Sequence, residues 1–510
     1  MGSALDGLIS LPAFAPRSPA SRVARTIAFA FVFVVALGVR LLYAGPAASA
    51  CYGVEQDRYR IAHFYHQASA DLADGDDRVV FPSGLEAGDT LVVGYPPGYF
   101  VFLAAVYRVS GSSMEAALVA QCVIDALTCV VLVLLGEALF SLGVGTVAGL
   151  LMAVSPQFAA LSVVLKPDTL TVLPVLLALL LVVVAARRDD LRLWICAGLS
   201  LGLACWFRQN ALLLAPVIAA AGCLLASDGP RRAVRGAVAL TVATFVCVLP
   251  LTVRNVALYG EAIPVTTGSG FALLSGLARD DIEGRYGLSR FAFNVSIEEA
   301  EARGLASNAY FDEYDRMQST HRRPFEVKHT VLSIFAVDGI ARDRSRRERA
   351  TSLIRSDLPY FARVVTVRAK RLLGYSEQNR TVPVEARRAD HAFESMAFTR
   401  TIGGDWSTSR HASASGAWTE LVRAPLATLQ RGFSTIVLAP LALLGLVLLA
   451  AGDWRRFVFV IAPVVYYVGL QSLMWAEFRH TLPIHASVFL AIGHAFSIGA
   501  GVTRRALQRR

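Results

Sequence analysis

The chain has 510 residues, 55% hydrophobic and only 17% charged, with a mean hydropathy of +0.51. Soluble domains carry about a quarter charged residues, so this balance excludes an ordinary soluble protein and indicates a polytopic membrane protein. The net charge of +10 fits basic loops on the cytoplasmic face of membrane spans and does not call for nucleic acid.

In chain order, residues 1–24 form a cytoplasmic N-terminus with Arg17 and Arg22. The first span covers 25–44. ASA before Cys51 imitates a signal-peptidase site, but the apolar run of about 18 residues exceeds the roughly 7–15 of a cleaved h-region. A retained anchor is expected. The loop 45–114 follows, with Glu55, Asp57, Asp71, Asp74, Asp76, Asp77, Glu86 and Asp89. It contains GYPPGYF (94–100) and a short apolar stretch at 99–109. Eleven or so residues are too few to cross, and Pro97 suits the first turn of a helix lying on the membrane surface.

Further runs of crossing length, roughly 17–25 residues, fall at 115–135, 142–164, 168–186, 191–207, 210–227 and 233–253. Asp125 is the charge near the middle of a span, either a transport site or a buried acid bonded to a neighbouring helix. A long segment, 255–431, then separates the spans at 433–451, 456–474 and 480–499 from the rest. In it, residues 344–375 set Leu358, Phe361, Val364, Val365 and Leu372 on one helical face among Arg and Lys, as in a basic helix lying in the interface plane. Two sequons, at Asn294 and Asn379, occur in the same segment. A cytoplasmic tail, 501–510, ends the chain.

The expected fold is therefore an all-α polytopic membrane protein of about ten transmembrane helices with two large extracytoplasmic loops. Arginine placement supports that count. With the N-terminus inside and 99–109 not crossing, Arg187/Arg188/Arg192, Arg231/Arg232/Arg235, Arg455/Arg456 and Arg504/Arg505/Arg509/Arg510 all face the cytoplasm, the positive-inside pattern. The chain has only three lysines, Lys166, Lys328 and Lys370, among 49 basic residues, a bias of GC-rich, bacterial genomes. Six of the seven cysteines lie inside apolar runs, so no disulfide framework is implied.

On this topology the outer face gathers Glu55, Asp57, Asp168, Glu477, Lys166, Arg208, Arg254, Arg479 and His480, all at span ends. Each basic residue alone has an ordinary explanation, as a headgroup anchor. Together they combine acids and arginines on one face. A carboxylate can act as base toward a hydroxyl, and arginine forks match the oxygens of a departing phosphate.

The order of motifs resembles the GT-C glycosyltransferases, in particular the polyprenyl-phosphate-dependent branch of protein O-mannosyltransferases and aminoarabinose transferases. The matching pieces are EQDRY (55–59), YPPGYFVFLAAVYRV (95–109), LKPDTLTVLPVLLALLL (165–181), GLSLGLACWFRQNALLLAPV (198–217), VLPLTVRNVALYGEAIPVTTGSGF (248–271) and WAEFRHTLPIHASVFLAIG (475–493). They cover most of 25–275 and 430–500.

The resemblance implies a sugar carried on a polyprenyl phosphate and moved by one inverting displacement to a lipid, glycan or protein acceptor outside a bacterial inner membrane. It places the catalytic acid at Glu55, ahead of Tyr59, with Asp57 as rival. Substrate contacts would come from Tyr59, Arg254, Arg479, Lys166, Arg208 and His480. The chain departs from the family pattern in having Glu55 for the usual aspartate, Gln209 for a proline and His480 for a tyrosine. No zinc or nucleotide motif appears; some relatives use a divalent cation, which Glu55 or Asp57 could hold. The rival from another class is a transporter or flippase of lipid-linked glycans. An O-antigen-type ligase or polymerase shares the donor class but lacks its motifs here.

Overall fold

The computed structural model describes residues 19–52, 60–76, 95–226, 229–281, 283–288, 339–375, 417–474 and 477–508. Among these, every element is helical and no strand occurs. In chain order they are α1 (Pro19–Tyr52), α2 (Arg60–Ala73), α3 (Gly98–Ser110), α4 (Met114–Leu139), α5 (Leu142–Val154), α6 (Pro156–Ser162), α7 (Asp168–Arg188), α8 (Leu191–Phe207) and α9 (Leu214–Leu225). Then come α10 (Pro230–Tyr259), α11 (Ser269–Asp280), α12 (Gly339–Ser356), α13 (Leu358–Leu373), α14 (Ala417–Arg431), α15 (Thr435–Gly452), α16 (Trp454–Leu473) and α17 (Pro483–Gln508).

Seven of these helices, α1, α4, α7, α10, α15, α16 and α17, are long and apolar enough to cross a membrane, and the bent pair α5–α6 makes eight if counted as one span. The chain is an all-α polytopic membrane protein. Only helices and closed barrels satisfy backbone groups in lipid, which explains the uniform choice of helix. The stretches read as spans at 191–207 and 210–227 are α8, of 17 residues, and a 3-10 turn (Gln209–Ala211) followed by α9, of 12. At 17 residues α8 stands at the lower limit of a crossing, and α9 alone is shorter.

The run 142–164 is not one straight span. It breaks between Val154 and Pro156, and the two halves bend by 57°. Proline cannot donate to the helix and drives the preceding residue out of the α region. Ser155 accordingly takes φ −59° and ψ 123° and caps α6, its hydroxyl accepting from Phe158 N.

The helices pack as one connected bundle. α4 packs on α7, α7 on α8, α8 on α10, and α10 on α9; α9 then meets α16, and α17 returns to α5 and hence α4. α7 is apolar on every face, as a central helix must be, and is buried along nearly its whole length. Close approach needs glycine: a Cβ on Gly136 of α4 would stand 2.4 Å from Gly145 Cα of α5. The outer surfaces of α1, α10 and α15 expose Ile27, Val34, Val238, Ile436 and Leu443, as lipid-facing helices do.

Asp125, on α4, is bonded inside the bundle. Arg40 of α1 donates through Nε to its Oδ2 at 2.7 Å, and both side chains are fully buried. Arg40 also donates to the carbonyls of Ala153 (2.5 Å) and Met152 (3.3 Å), at the open end of α5. Of the two sequence readings of Asp125, the buried acid bonded to a neighbouring helix is the one observed.

The basic stretch 344–375 is two helices, not one. Asp357 stops α12 and caps α13, its carboxylate accepting from Tyr360 N at 3.1 Å. The stripe that α13 buries is Tyr360, Val364, Arg368 and Leu372. Leu358, expected on that face, is exposed; it stands six residues before Val364 in the same helix, about 120° round the axis from it.

Candidate functional site

Three turns between apolar helices supply the charges. The first, residues 163–167, carries Lys166 and leads into Asp168, the first residue of α7. It is shaped by Gln121 of α4, which is fully buried. Its Nε2 donates to the carbonyls of Ser162 (3.0 Å) and Val164 (2.7 Å), and its Oε1 accepts from Tyr99 of α3 (2.8 Å). Asp168 sits where the α7 dipole favours a carboxylate.

The second turn begins at Arg208, in extended conformation at the end of α8, and pairs Arg208 Nη2 with Asp168 Oδ1. The third is the 3-10 turn Phe478–Thr481 ahead of α17. There Arg479 Nε pairs with Glu477, and His480 Nε2 lies 3.8 Å from the same carboxylate. Asn210 stitches these two turns together: its Nδ2 donates to His480 O at 2.9 Å, and its own carbonyl accepts from Tyr466 OH of α16 at 2.7 Å.

The segment before α4 covers this end of the bundle. Tyr65 of α2 packs edge-on against Tyr99 (4.8 Å) and Tyr95 (5.8 Å) and against Phe100 (4.9 Å). Gly98 lets α3 approach the end of α8, because a Cβ there would stand 2.6 Å from Trp206 O. Tyr65 lies within reach of the charges of Arg208, Asp168 and Arg479, and its hydroxyl is held protonated, mainly by burial.

The charges of Arg479, Arg279 and Lys166 act on Glu477, and those of Arg208 and Arg479 on Asp168. Within this cluster Asp168 Oδ2, Arg208 Nε and Asn210 Oδ1 are shielded from solvent and have no hydrogen-bond partner among the described residues. A shielded polar atom without a partner costs about 1–3 kcal/mol, more if charged, so a bound polar ligand would gain by supplying the bonds.

The titratable groups are fixed in opposite senses. Burial pulls His480 down to about 3, with help from Arg208 and Arg479 and against Glu477 and Asp168. Burial alone would raise Glu477, but Arg479, His480, Arg279 and Lys166 outweigh it and hold the carboxyl well below the usual range. At neutral pH the imidazole is neutral and the carboxylate charged. Both folded values lie below the unfolded ones of about 6.5 and 4.3, so both contributions to stability are complete above about pH 6.5 and are lost as the pH falls. The thermal midpoint of the solubilised protein is expected to hold steady above about pH 6.5 and to fall between about pH 6 and pH 4. His480→Gln should remove the part of that loss nearest pH 6. An unchanged acid profile in the variant would contradict a neutral His480.

Of the residues singled out in the sequence, Lys166, Arg208, Arg479 and His480 come together here. Glu55, Asp57 and Tyr59 lie outside the described residues, on the connection between α1 and α2. Arg254, on α10, donates through Nε and Nη2 to Asn255 Oδ1 at 3.2 and 3.0 Å. Asn255 in turn bonds the carbonyls of Ile263 and Val265. Arg254 is not among the charges that dominate around Glu477, Arg479 or His480. Tyr65, Asn210, Gln121 and Arg279 carried no signal in the sequence, since nothing local marks a residue whose role depends on a distant turn. Among the described residues no three His, Cys, Asp or Glu side chains group to hold a metal ion, so these side chains alone do not form a cation site.

A family model described as dolichyl-phosphate-mannose-protein mannosyltransferase matches residues 95–253, less than half of the chain. The archaeal oligosaccharyltransferase AglB from Archaeoglobus fulgidus, in complex with an inhibitory peptide and a dolichol-phosphate, superposes with a TM-score of 0.51 at 14% identity, over 96% of this chain and 52% of that one. The chain has the GT-C fold. The A. fulgidus oligosaccharyltransferase in complex with Zn and sulfate gives 0.48 at 12% identity, over 92% and 49%. ArnT from Cupriavidus metallidurans bound to undecaprenyl phosphate gives 0.35 at 14%, over 93% and 77%. The chain spans about half the length of the oligosaccharyltransferases it resembles. No curated protein sequence matches it. Within the GT-C fold, the match to residues 95–253 takes in α3, the turn with Lys166 and Asp168, and the turn with Arg208.

Proposed function

We propose that this chain is a membrane glycosyltransferase that moves a sugar from a polyprenyl-phosphate donor to a hydroxyl of a lipid, glycan or protein acceptor. The observation that carries this is the convergence of four cations and two carboxylates, with shielded unpartnered donors and acceptors, at one end of an apolar helical bundle. A lipid tail can lie along such a bundle while its phosphate meets the charges.

The proposed reaction is one inverting displacement. The acceptor oxygen attacks the anomeric carbon, its proton passes to the Glu55 carboxylate, and the bond from that carbon to the phosphate oxygen breaks. The lipid phosphate leaves with the electron pair, and the fixed charges of Lys166, Arg208 and Arg479 stabilise it. Arg208 Nε is a donor open to such an oxygen. Arg254, Tyr59 and His480 are carried into the proposal as further substrate contacts, on the resemblance alone. Ten spans with cytoplasmic termini would put this end of the bundle outside a bacterial inner membrane, with 45–114 and 255–431 on the same side. The arginine pattern supports that orientation.

The transporter alternative rested on Asp125, and its pairing with Arg40 makes that acid part of the scaffold. The deciding experiment gives the protein, reconstituted in vesicles, radiolabelled sugar on a polyprenyl phosphate together with cell-envelope acceptors. Transfer with release of polyprenyl phosphate is expected. Movement of lipid-linked glycan across the bilayer without transfer would refute the proposal. Arg479→Lys should retain part of the activity, and Arg479→Gln should raise the KM for donor by roughly tenfold or more, the value of a hydrogen bond to a charged group. Equal turnover at limiting donor would count against Arg479 as a phosphate ligand.

A further inference from the structure

We infer that Gln121, near the start of α4, is a positioning residue for the donor phosphate. It sets where the turn after α6 delivers Asp168, and through Asp168 where Arg208 stands. This rests on the glycosyl-transfer function proposed above and adds to it a residue that acts through others.

Residues 163–167 are non-helical backbone, and every one of them is buried. Water cannot bond the carbonyls there, so other protein groups must. Gln121 Nε2 spends both its hydrogens on them, one on Ser162 O at 3.0 Å and one on Val164 O at 2.7 Å. Val164 O also accepts from Lys166 N at 2.7 Å, which closes a three-residue turn over Leu165. Two donors thus fill its two lone pairs. Ser162 O also meets Cys122 Sγ, a weak donor, at 3.9 Å. The third contact of the amide, Oε1 with Tyr99 OH at 2.8 Å, fixes its orientation. Turned over, the amide would set its oxygen against two carbonyls.

The other end of α6 is also tied. Ser155 Oγ and Tyr375 OH share a hydrogen bond, and Gln157 Nε2 donates to Tyr375 O. A seven-residue helix held at both ends acts as a strut, and Gln121 is the fixed point at the end that leads to the site. Pro167 then precedes α7, and Asp168 Oδ1, in the first turn of that helix, takes Arg208 Nη2. A displaced turn therefore displaces Asp168 and its arginine together. Through Tyr99 the same amide ties the turn to α3, and the Tyr99 ring packs on Tyr65 of α2. Gln121 so sets the phosphate side of the site in register with the helices that cover it. Misplacing a binding group by about 1 Å costs up to about 10²-fold in rate.

The test uses the full chain in lipid nanodiscs, with polyprenyl monophosphate as the binding probe and the labelled donor and acceptors of the transfer assay. Gln121→Met keeps the volume and removes both donors. Its binding of the probe is expected to be about tenfold weaker, the value of a hydrogen bond to a charged group. The KM for donor should rise in proportion, with the KM for acceptor unchanged. Tyr99→Phe keeps the ring and releases one end of the amide, so it should raise the donor KM by less. It decides the matter if Gln121→Met does not fold. Thr128→Val removes a hydroxyl bonded to Ile124 O within α4 and should leave both KM values unchanged. Wild-type donor KM in the folded variants, whatever their thermal midpoint, would make Gln121 a packing residue and overturn the inference. So would equal rises in both KM values, or a rise as large in Thr128→Val. These results would leave the glycosyl-transfer proposal standing, whereas a wild type that neither binds the probe nor transfers sugar would overturn both.

Discussion

Arg40→Met is expected to destabilise the protein by about 3–5 kcal/mol, the cost of leaving one partner of a buried ion pair uncompensated. The loss has two parts. Asp125 is left without its counter-ion among Cys122, Cys129 and apolar side chains, and the carbonyl of Ala153 loses the Arg40 donor where α5 ends, while Met152 O keeps only Ser155 N. Gln430 of α14 donates to the neighbouring carbonyl, Val154 O, at 2.9 Å and does not replace Arg40 at Ala153. The double variant Arg40→Met/Asp125→Leu should recover the first part and not the second, because a hydrophobic pair replaces the ions but supplies no donor. Thermal unfolding in detergent micelles measures both. A double variant as stable as wild type would show that the carbonyl bonds contribute nothing. Asp125→Asn should retain glycosyl transfer, whereas a proton-relay acid would lose function in that change.

The largest effect on activity is expected at Glu55. Glu55→Gln keeps size and hydrogen bonding but removes basicity, and loss of a general base lowers the rate by a factor of about 10² to 10⁴. Asp57→Asn should retain partial activity. Glu55 is nearer in sequence to the end of the first span, and a partly desolvated carboxyl there would be the better base. Asp57 is next to Arg58 and better placed to orient the connection into α2. In sequence that connection precedes α2, whose Tyr65 stands at the charge cluster. Transfer measured with saturating donor and acceptor separates the two. Reversed results, with Asp57→Asn inactive and Glu55→Gln active, would make Asp57 the base.

Much of this was written in the linear chain. Apolar runs of crossing length dictate an all-α membrane protein, since lipid offers the backbone no other partner. The break at Ser155 follows from Pro156, because its cause is local. Lys166, Arg208, Arg479 and His480 stood out because charges at the ends of apolar runs are conspicuous.

Tertiary structure decided the rest. Whether Asp125 was a transport site or a scaffold acid depended on Arg40, 85 positions away in sequence. Asp280 looks like a surface charge until Arg368 and Arg371 of α13 are packed against it. Asn210 gains its role only when the turn after α8 meets the turn before α17. Periodicity and composition record what each helix must hide from water or show to lipid. Which turns meet at the end of the bundle is set by how side chains of distant helices interlock, and local sequence carries no term for that.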